Sequence, residues 1–303
     1  VEHESTIIFT ESIMSKSHTI NLSTHLPHQG EYDNLEVKVI DHVGNVLTET
    51  LSSFTFDTEE PYIEHVSFTT SPADKTHIKD GDSITAKIKY DDNLSHLDQA
   101  ECKLTFKLKD HDHSHVVSGD NLTFYHDNGH KYFEGTWHID TDESYHNAEI
   151  ELEIEIEDAA ENEDIKVDVQ SNIILDTVHP TLSHVPGGNV PEFTNHPTFT
   201  FHSTEEGEIH CHELNEELSY EPENPVRDED GNYTITFKNL EDREYCNVSL
   251  KVTDEAGNTS HALHVPRFTV DTLDPTLFQT TVKSDNGNSP YLAKPGDVIT
   301  ITI

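Results

Sequence analysis

DEAGNTSHALHVPRFTVDTLDP, residues Asp254 to Pro275, is the stretch from which the rest of the chain can be read. It follows an alternating apolar run, Val248, Leu250 and Val252, and opens on the tight-turn sequence Asp254-Glu255-Ala256-Gly257-Asn258. A second extended run, Val265 to Val270, leads into Asp271-Thr272 and then Pro275. Gly257 and Asn258 tolerate the positive φ of a hairpin turn, and Pro275 ends the ladder because it has no N–H to donate. The spacing predicts strand, turn, strand and exit.

The same device occurs twice more. Upstream it reads Asp41-His42-Val43-Gly44-Asn45, then Phe54, Phe56, Asp57-Thr58 and Pro61. Between the two it reads Asp158-Ala159-Ala160-Glu161-Asn162, then Ile173, Leu175, Asp176-Thr177 and Pro180. From the first Asp to the Asp of Asp-Thr the spacing is 16, 18 and 17 residues (41 to 57, 158 to 176, 254 to 271), and the Pro always follows 4 later. Three matched copies make an internal repeat, which fixes the architecture before any single element does.

Working outward, residues 1–58 read as the C-terminal part of one repeat, with strands at His18 to Leu22 and Leu35 to Ile40. Tyr32 stands 9 residues before Asp41 and Tyr245 stands 9 before Asp254, the placing of a tyrosine corner in a β-sandwich. Residues 59–177 form a long copy. Its strands run over Ile84 to Tyr90, Cys102 to Leu108 and Ile150 to Ile156, around a polar loop from Asp110 to His115. The last of these strands carries Glu149, Glu151, Glu153, Glu155 and Glu157 on its outer face, a row that repels itself unless screened or paired. Residues 178–272 are a shorter copy. Residues 273–303 begin a further one, because Lys294-Pro295-Gly296-Asp297 repeats Lys79-Asp80-Gly81-Asp82 ahead of a matching strand. The partial copies at both ends lead us to expect a segment of a longer chain, and the rival expectation is strands donated between neighbouring copies. The fold class expected is all-β, in tandem two-sheet sandwiches.

Composition limits the function. The chain has 303 residues, a hydrophobic share of 33%, and Lys+Arg 18 against Asp+Glu 59 for a net charge of −41. Such a surface excludes nucleic acid as a partner, since phosphate binding needs clustered cations, and it favours association with cations. No run of about 18 apolar residues is present for a membrane-spanning helix, and no membrane insertion is expected. The start at Val1 shows no signal-peptide pattern. The 23 histidines would offset much of the negative charge in mild acid. No nucleophile elbow, zinc-protease helix motif or phosphate loop occurs, so the chain is read as non-enzymatic.

Taken together, D-x-A-G-N followed by F-T-V-D-T-x-x-P, T-F-T-F-x-S-T-E-x-G at Thr198 to Gly207, and K-P-G-D at Lys294 to Asp297 resemble the bacterial immunoglobulin-like domains strung in arrays on cell-surface proteins and adhesins. The resemblance covers most of residues 32–303 and departs from the pattern at Glu161, where Gly is expected. It implies antiparallel immunoglobulin-like sandwiches arranged end to end, an extracellular, surface-bound setting, and neighbouring domains or subunits and a host or neighbouring cell surface as partners. It also implies Ca²⁺ at domain junctions. The candidate ligands are Asp41, Asp57, Asp158, Asp176, Asp254 and Asp271 from the turns and linkers, with Asp80, Asp82 and Asp297 from the loop of the next domain. Acidic turns supply the hard oxygens that Ca²⁺ takes; the plain alternative is that each Asp caps its own turn.

Three further features bear on function. Cys211 and Cys246 fall in one domain and are expected to form a disulfide in an extracellular chain, with Cys102 as a small buried apolar residue. His111, His113 and His115, and His210-Cys211-His212, are read as chance spacing in a His-rich chain rather than a transition-metal site. Sequons at Asn21, Asn93, Asn121, Asn232, Asn247 and Asn258 are candidate glycan acceptors. The function expected is a stalk or adhesin-array segment stiffened by cations. The alternatives are a surface-layer or filament subunit assembling head to tail, and a non-catalytic spacer or binding module of a secreted enzyme.

Overall fold

The computed structural model describes residues 19, 21, 26, 28–33 and 35–303, apart from 93, 142, 143, 215 and 278. His18, Ile20 and Leu22 of the first expected strand, and the sequon residue Asn93, lie outside the described residues. Among the described residues every regular element is a strand, save one 3-10 turn at Gly119–Asn121. The chain divides into two units, Val1–His179 with Glu255–Asn258, and Pro180–Asp254 with Thr259–Ile303.

The first unit begins with β1 (Gly30–Tyr32), β2 (Glu36–Ile40), β3 (Val46–Thr50) and β4 (Phe54–Phe56), in which β1 pairs antiparallel with β4 and β2 with β3. It continues through β5 (Tyr62–Ser71), β6 (His77–Ile78), β7 (Ser83–Asp91), β8 (Lys103–Leu108), β9 (Ser114–Ser118), β10 (Thr123–Asp127), β11 (His130–His138), β12 (Ala148–Glu157) and β13 (Glu163–Leu175). These nine strands form a sandwich of two sheets, ordered β10-β11-β7-β5 and β6-β13-β12-β8-β9, antiparallel but for the short β6–β13 pair. Alternation explains why. Ile84, Ala86 and Ile88 of β7 and Ile150, Leu152, Ile154 and Ile156 of β12 enter one core with Leu104 and Phe106. Each fully buried large apolar side chain contributes about 1.5–3 kcal/mol.

The outer face of β12 relieves most of the expected repulsion. Opposite strands supply cations and an amide: Lys103 Nζ meets Glu155 at 2.9 Å, Lys107 meets Glu153 at 2.5 Å, and Lys109 meets Glu149 at 2.6 Å. Gln170 donates to Glu151 at 2.7 Å. Partly exposed pairs of this kind contribute at most about 1 kcal/mol each, so they relieve the ladder at Glu149, Glu153 and Glu155 rather than drive folding, while burial and the charges of Glu101, Glu163 and Glu161 raise the pKa of Glu157.

The second unit contains β14 (Leu182–His184), β15 (Phe193–Thr194), β16 (Thr198–Ser203), β17 (Glu208–Glu213), β18 (Glu216–Glu217), β19 (Tyr220–Glu221), β20 (Asn232–Phe237), β21 (Glu244–Tyr245), β22 (Val248–Thr253), β23 (Leu263–His264) and β24 (Phe268–Val270). A last hairpin, β25 (Thr281–Ser284) with β26 (Ile299–Thr302), follows. The sheets are β14-β16-β20-β19, β18-β17-β22-β23 and β15-β24-β21. Their core holds Phe199, Phe201, Tyr233, Ile235, Leu250 and Val252. The run expected to be one strand from Val265 is shorter, since β24 begins only at Phe268; Pro266 lacks the N–H that a ladder needs. Gly207 is required by close approach: a Cβ there would stand 2.3 Å from the Thr253 carbonyl oxygen.

Both tyrosine corners are present. The Tyr32 hydroxyl donates to the His28 carbonyl at 2.5 Å. The Tyr245 hydroxyl accepts the Glu241 N–H at 2.8 Å and lies 3.2 Å from the Glu241 carbonyl. The chain is therefore all-β, built of tandem immunoglobulin-like antiparallel β-sandwiches.

Candidate metal centre

The repeated aspartates first serve their own backbone. Asp41 Oδ1 accepts the N–H groups of Val43 and Asn45 at 3.0 and 2.8 Å, and its Oδ2 accepts the Asn45 side-chain amide at 2.6 Å. Asp158 repeats this with Ala160, Asn162 and the Asn162 amide at 2.8, 2.9 and 2.8 Å. The fourth residue of the turn is left-handed in both, at φ 91° for Gly44 and 66° for Glu161. A further copy, Asp228-Glu229-Asp230-Gly231-Asn232, makes the same turn but lies outside the Asp-Thr-x-x-Pro frame that marks the repeat. The Asp-Thr aspartates share a second habit. Asp57, Asp176 and Asp271 each accept the N–H two residues on, from Glu59, Val178 and Leu273, at 3.1, 3.0 and 3.1 Å.

Of the nine candidate ligands, the fold brings Asp57 and Asp158 together, and adds Asp92, which sequence reasoning missed. One carboxylate oxygen from each lies within 4.8 Å of the others, and all three residues are buried. Three elements of one sandwich end supply them: the linker after β4, the residue just past β7, and the turn between β12 and β13. The loop after β7 is held against that turn by a Leu97–Asp158 bridge and by Ala159 N–H to the His96 carbonyl at 2.9 Å. Asp91-Asp92 directly after a strand was the available signal.

The three carboxylates are not equivalent. Asp57 Oδ2 accepts the Ser95 N–H at 2.9 Å and the Ser95 hydroxyl at 2.7 Å. Burial pushes its pKa up, but the hydrogen bonds from Ser95 and Glu59 outweigh burial and leave it below the usual carboxylate value. Asp92 is the opposite case. Burial, then the charges of Asp158 and Asp57, raise its pKa against the opposing pull of Lys131 and His96. Lys131 spends a hydrogen bond on the Asp92 carbonyl at 2.6 Å rather than on its carboxylate. Asp92 Oδ2 is fully buried and, among the described residues, has no hydrogen-bond partner. A buried oxygen of this kind costs about 1–3 kcal/mol unless something satisfies it. The donor set suits a hard divalent cation: oxygen only, anionic, and close enough for ligand distances of about 2.3–2.6 Å.

The remaining candidates do other work. Asp82 Oδ2 accepts the Lys79 N–H at 3.1 Å and pairs with Lys75 at 3.1 Å. Asp297 accepts the Lys294 N–H at 2.8 Å in the same way. Asp80 accepts the Thr141 N–H at 3.3 Å. Asp176 faces His146 Nδ1 at 3.3 Å, Asp254 is half-buried at the end of β22, and Asp41 and Asp271 are exposed.

One sequence expectation is corrected. Cys211 and Cys246 are free thiols, one buried and one exposed. Cys211 pairs in register with Leu250, whereas Cys246 lies ahead of β22, so the two do not face each other across the β17–β22 pair. His111, His113 and His115 take a packing role. His111 and His113 both pack on Tyr145 with centroids 5.4 Å away, and His115 stacks on Trp137 at 5.5 Å. They roof the aromatic end of the core, and among the described residues they form no metal-ligand group. Cys102 is buried as expected, its thiol pushed up to about 11 by burial. Of the sequons, Asn258 is buried and the Asn232 amide is committed to Asp228 at 3.2 Å, whereas Asn21, Asn121 and Asn247 are exposed.

No family model and no curated protein matches the chain. Among solved structures, an I-band fragment of titin aligns at 12% identity over 80% of this chain and 74% of that one, with a TM-score of 0.32. A 1.5-MDa bacterial ice-binding adhesin aligns at 14% identity over 78% and 74%, with a TM-score of 0.26. Similarity at this level adds no argument to the geometry above.

Proposed function

We propose that the chain is a structural segment of an extracellular surface protein, a stalk or adhesin-type array. In this reading the entry to its first complete sandwich is clamped by a calcium ion held by Asp57, Asp92 and Asp158. The observation that carries it is the orphaned Asp92 Oδ2 among three buried carboxylates. Asp57 belongs to the linker that joins β1–β4 to the sandwich, while Asp92 and Asp158 belong to the sandwich itself, so one ion ties linker to domain. A bound divalent charge neutralises mutual repulsion and satisfies the orphan oxygen, and the strand pair upstream then loses freedom to swing. The net charge of −41 keeps such arrays soluble and apart.

Small-angle scattering at fixed ionic strength tests this. Calcium should sharpen the distance distribution relative to EDTA, and Asp92→Asn should erase the difference. Superposable curves for the unaltered chain in calcium and in EDTA refute the clamp.

A further inference from the structure

On β9 of the first sandwich, histidine stands where the strand pattern calls for an apolar residue. Across the β8–β9 pair Leu104 faces Val117 and Phe106 faces His115, and the Leu108 N–H donates to the His113 carbonyl at 3.2 Å. The period of two therefore puts His113, His115 and Val117 on the core side. β9 is an edge strand paired with β8 alone, and Val117 is the one buried apolar residue in it. Its other hold on the core is Trp137 of β11, 4% exposed and the single tryptophan of the chain. His115 stacks on Trp137 with centroids 5.5 Å apart and rings 12° from parallel, and His113 stacks on it at 5.9 Å and 26°.

The charged groups around this stack are unevenly placed. His111 and His113 line an open cleft with Asp110 and Asp112 of their own turn, Glu151 of β12 and Asp168 of β13. Lys107 and Lys109 line it too, and they are paired with Glu153 and Glu149. A charge on His111 or His113 meets carboxylates in that cleft. A charge on His115 meets none among the described residues. Phe106 lies opposite it and Trp137 covers it, while its titratable neighbours are His113 and His138, the last residue of β11. A cation is attracted to an indole face, but two imidazoles share this one and repel each other once both are charged.

We propose that the His113–Trp137–His115 stack is an acid-sensitive latch on edge strand β9, closed near neutral pH and released in mild acid. Histidine is the side chain that changes charge in that range. Burial, then the charges of His113 and His138, hold the His115 pKa below the ordinary histidine value. A base whose pKa is lowered in the closed state takes its proton more readily in the open one. The closed state therefore has its full stability above a pH of about 6.5 and loses it as pH falls from there through the lowered value. A five-residue edge strand with one buried apolar residue opens as a local unit while the rest of the sandwich stays folded. Release bares the edge of β8, a row of N–H and C=O groups open to pairing with another strand.

The test uses the 303-residue chain and His115→Phe, which keeps a ring on Trp137 and removes the titrating group. With a single tryptophan, emission and acrylamide quenching read the latch directly. In the unaltered chain quenching should rise several-fold, with a red shift of emission, between pH about 7.5 and about 5. His115→Phe should stay shielded throughout. Amide hydrogen exchange, corrected for its intrinsic pH dependence, should show the β8–β9 ladder losing protection in acid while the β7–β11 ladder keeps it. Trp137 equally shielded across the range in the unaltered chain overturns the proposal. So does equal opening of His115→Phe, or loss of β7–β11 protection in step with β8–β9. Should His115→Phe fail to fold, the exchange pattern of the unaltered chain decides alone, and a β8–β9 ladder still protected in acid overturns the latch.

Discussion

Replacing Asp92 by Asn is the sharpest perturbation of the candidate metal centre, because it has opposite consequences with and without the ion. Two unit charges 4.8 Å apart, the outer limit of the cluster, repel by about 3.5 kcal/mol at an effective dielectric near 20. Asp92 has two such neighbours, partly offset by Lys131, so a few kcal/mol of strain sits in the metal-free site. In EDTA at neutral pH the variant should therefore melt above the unaltered chain. The sign with pH follows from linkage. A carboxyl whose folded pKa is raised contributes stability below its unfolded pKa and loses it as pH rises through the folded value. The metal-free protein should thus gain from Asp92 as pH falls from neutrality, while Asp57, whose pKa is lowered, loses its contribution only at more acid pH. Calcium reverses the order. At 100 times its dissociation constant a ligand adds about 2.7 kcal/mol, roughly 5–11 °C for a unit of this size, and Asp92→Asn should forfeit most of that gain. Differential scanning calorimetry of both chains, in EDTA and in calcium at matched ionic strength, reads all four values. Equal calcium shifts in the two chains, or none in the unaltered one, would refute the reasoning.

Two other outcomes follow from the geometry. Glu161→Gly should stabilise the first unit by about 0.5–1 kcal/mol, since Glu161 sits at φ 66° where glycine carries no Cβ penalty; a rise in denaturant midpoint at constant slope checks it. Of the three cysteines, only Cys246 should react promptly with a thiol reagent at neutral pH, because burial pushes Cys211 up to about 12 and Cys102 up to about 11; all three should react after unfolding, and a count of one after unfolding would restore the disulfide.

What was legible in the sequence is local in origin. The period of two in Ile150 to Ile156 places those side chains in the core with no knowledge of the partner sheet, and the tyrosine corners need only a tyrosine and a carbonyl four residues earlier. What was not legible depends on topology. Asp92 joins Asp57 and Asp158 because the end of β7, the β12–β13 turn and the incoming linker meet at one end of a sandwich, although Asp57 to Asp92 spans 35 positions and Asp92 to Asp158 spans 66. Lys103 and Lys107 of β8, with Lys109 just past its end, fall on one face by their spacing in the sequence, yet their pairing required the β8–β12 register. The cysteine pairing failed for the same reason, since sharing a domain says nothing about register.

The two readings of the repeated aspartate, turn cap and metal ligand, are not rivals. Asp41, Asp158 and Asp228 make the same turn with the same hydrogen bonds, so the turn sequence specifies a conformation and nothing about binding. Among the described residues neither Asp41 nor Asp228 joins a group of three metal-ligating side chains; Asp158 does, because Asp57 and Asp92 converge on it. In Asp57 and Asp158 every carboxylate oxygen already accepts an N–H or O–H, which orients it and stabilises its charge without consuming all of its lone pairs. Asp92 Oδ2 accepts nothing among the described residues. In the proposed clamp, two pre-oriented carboxylates would fix where a cation sits, and the third, unsatisfied until one arrives, would add most to the difference between the empty and filled states. A cation that contacts Asp92 is therefore worth more to this chain than one held at Asp41 or Asp228 alone.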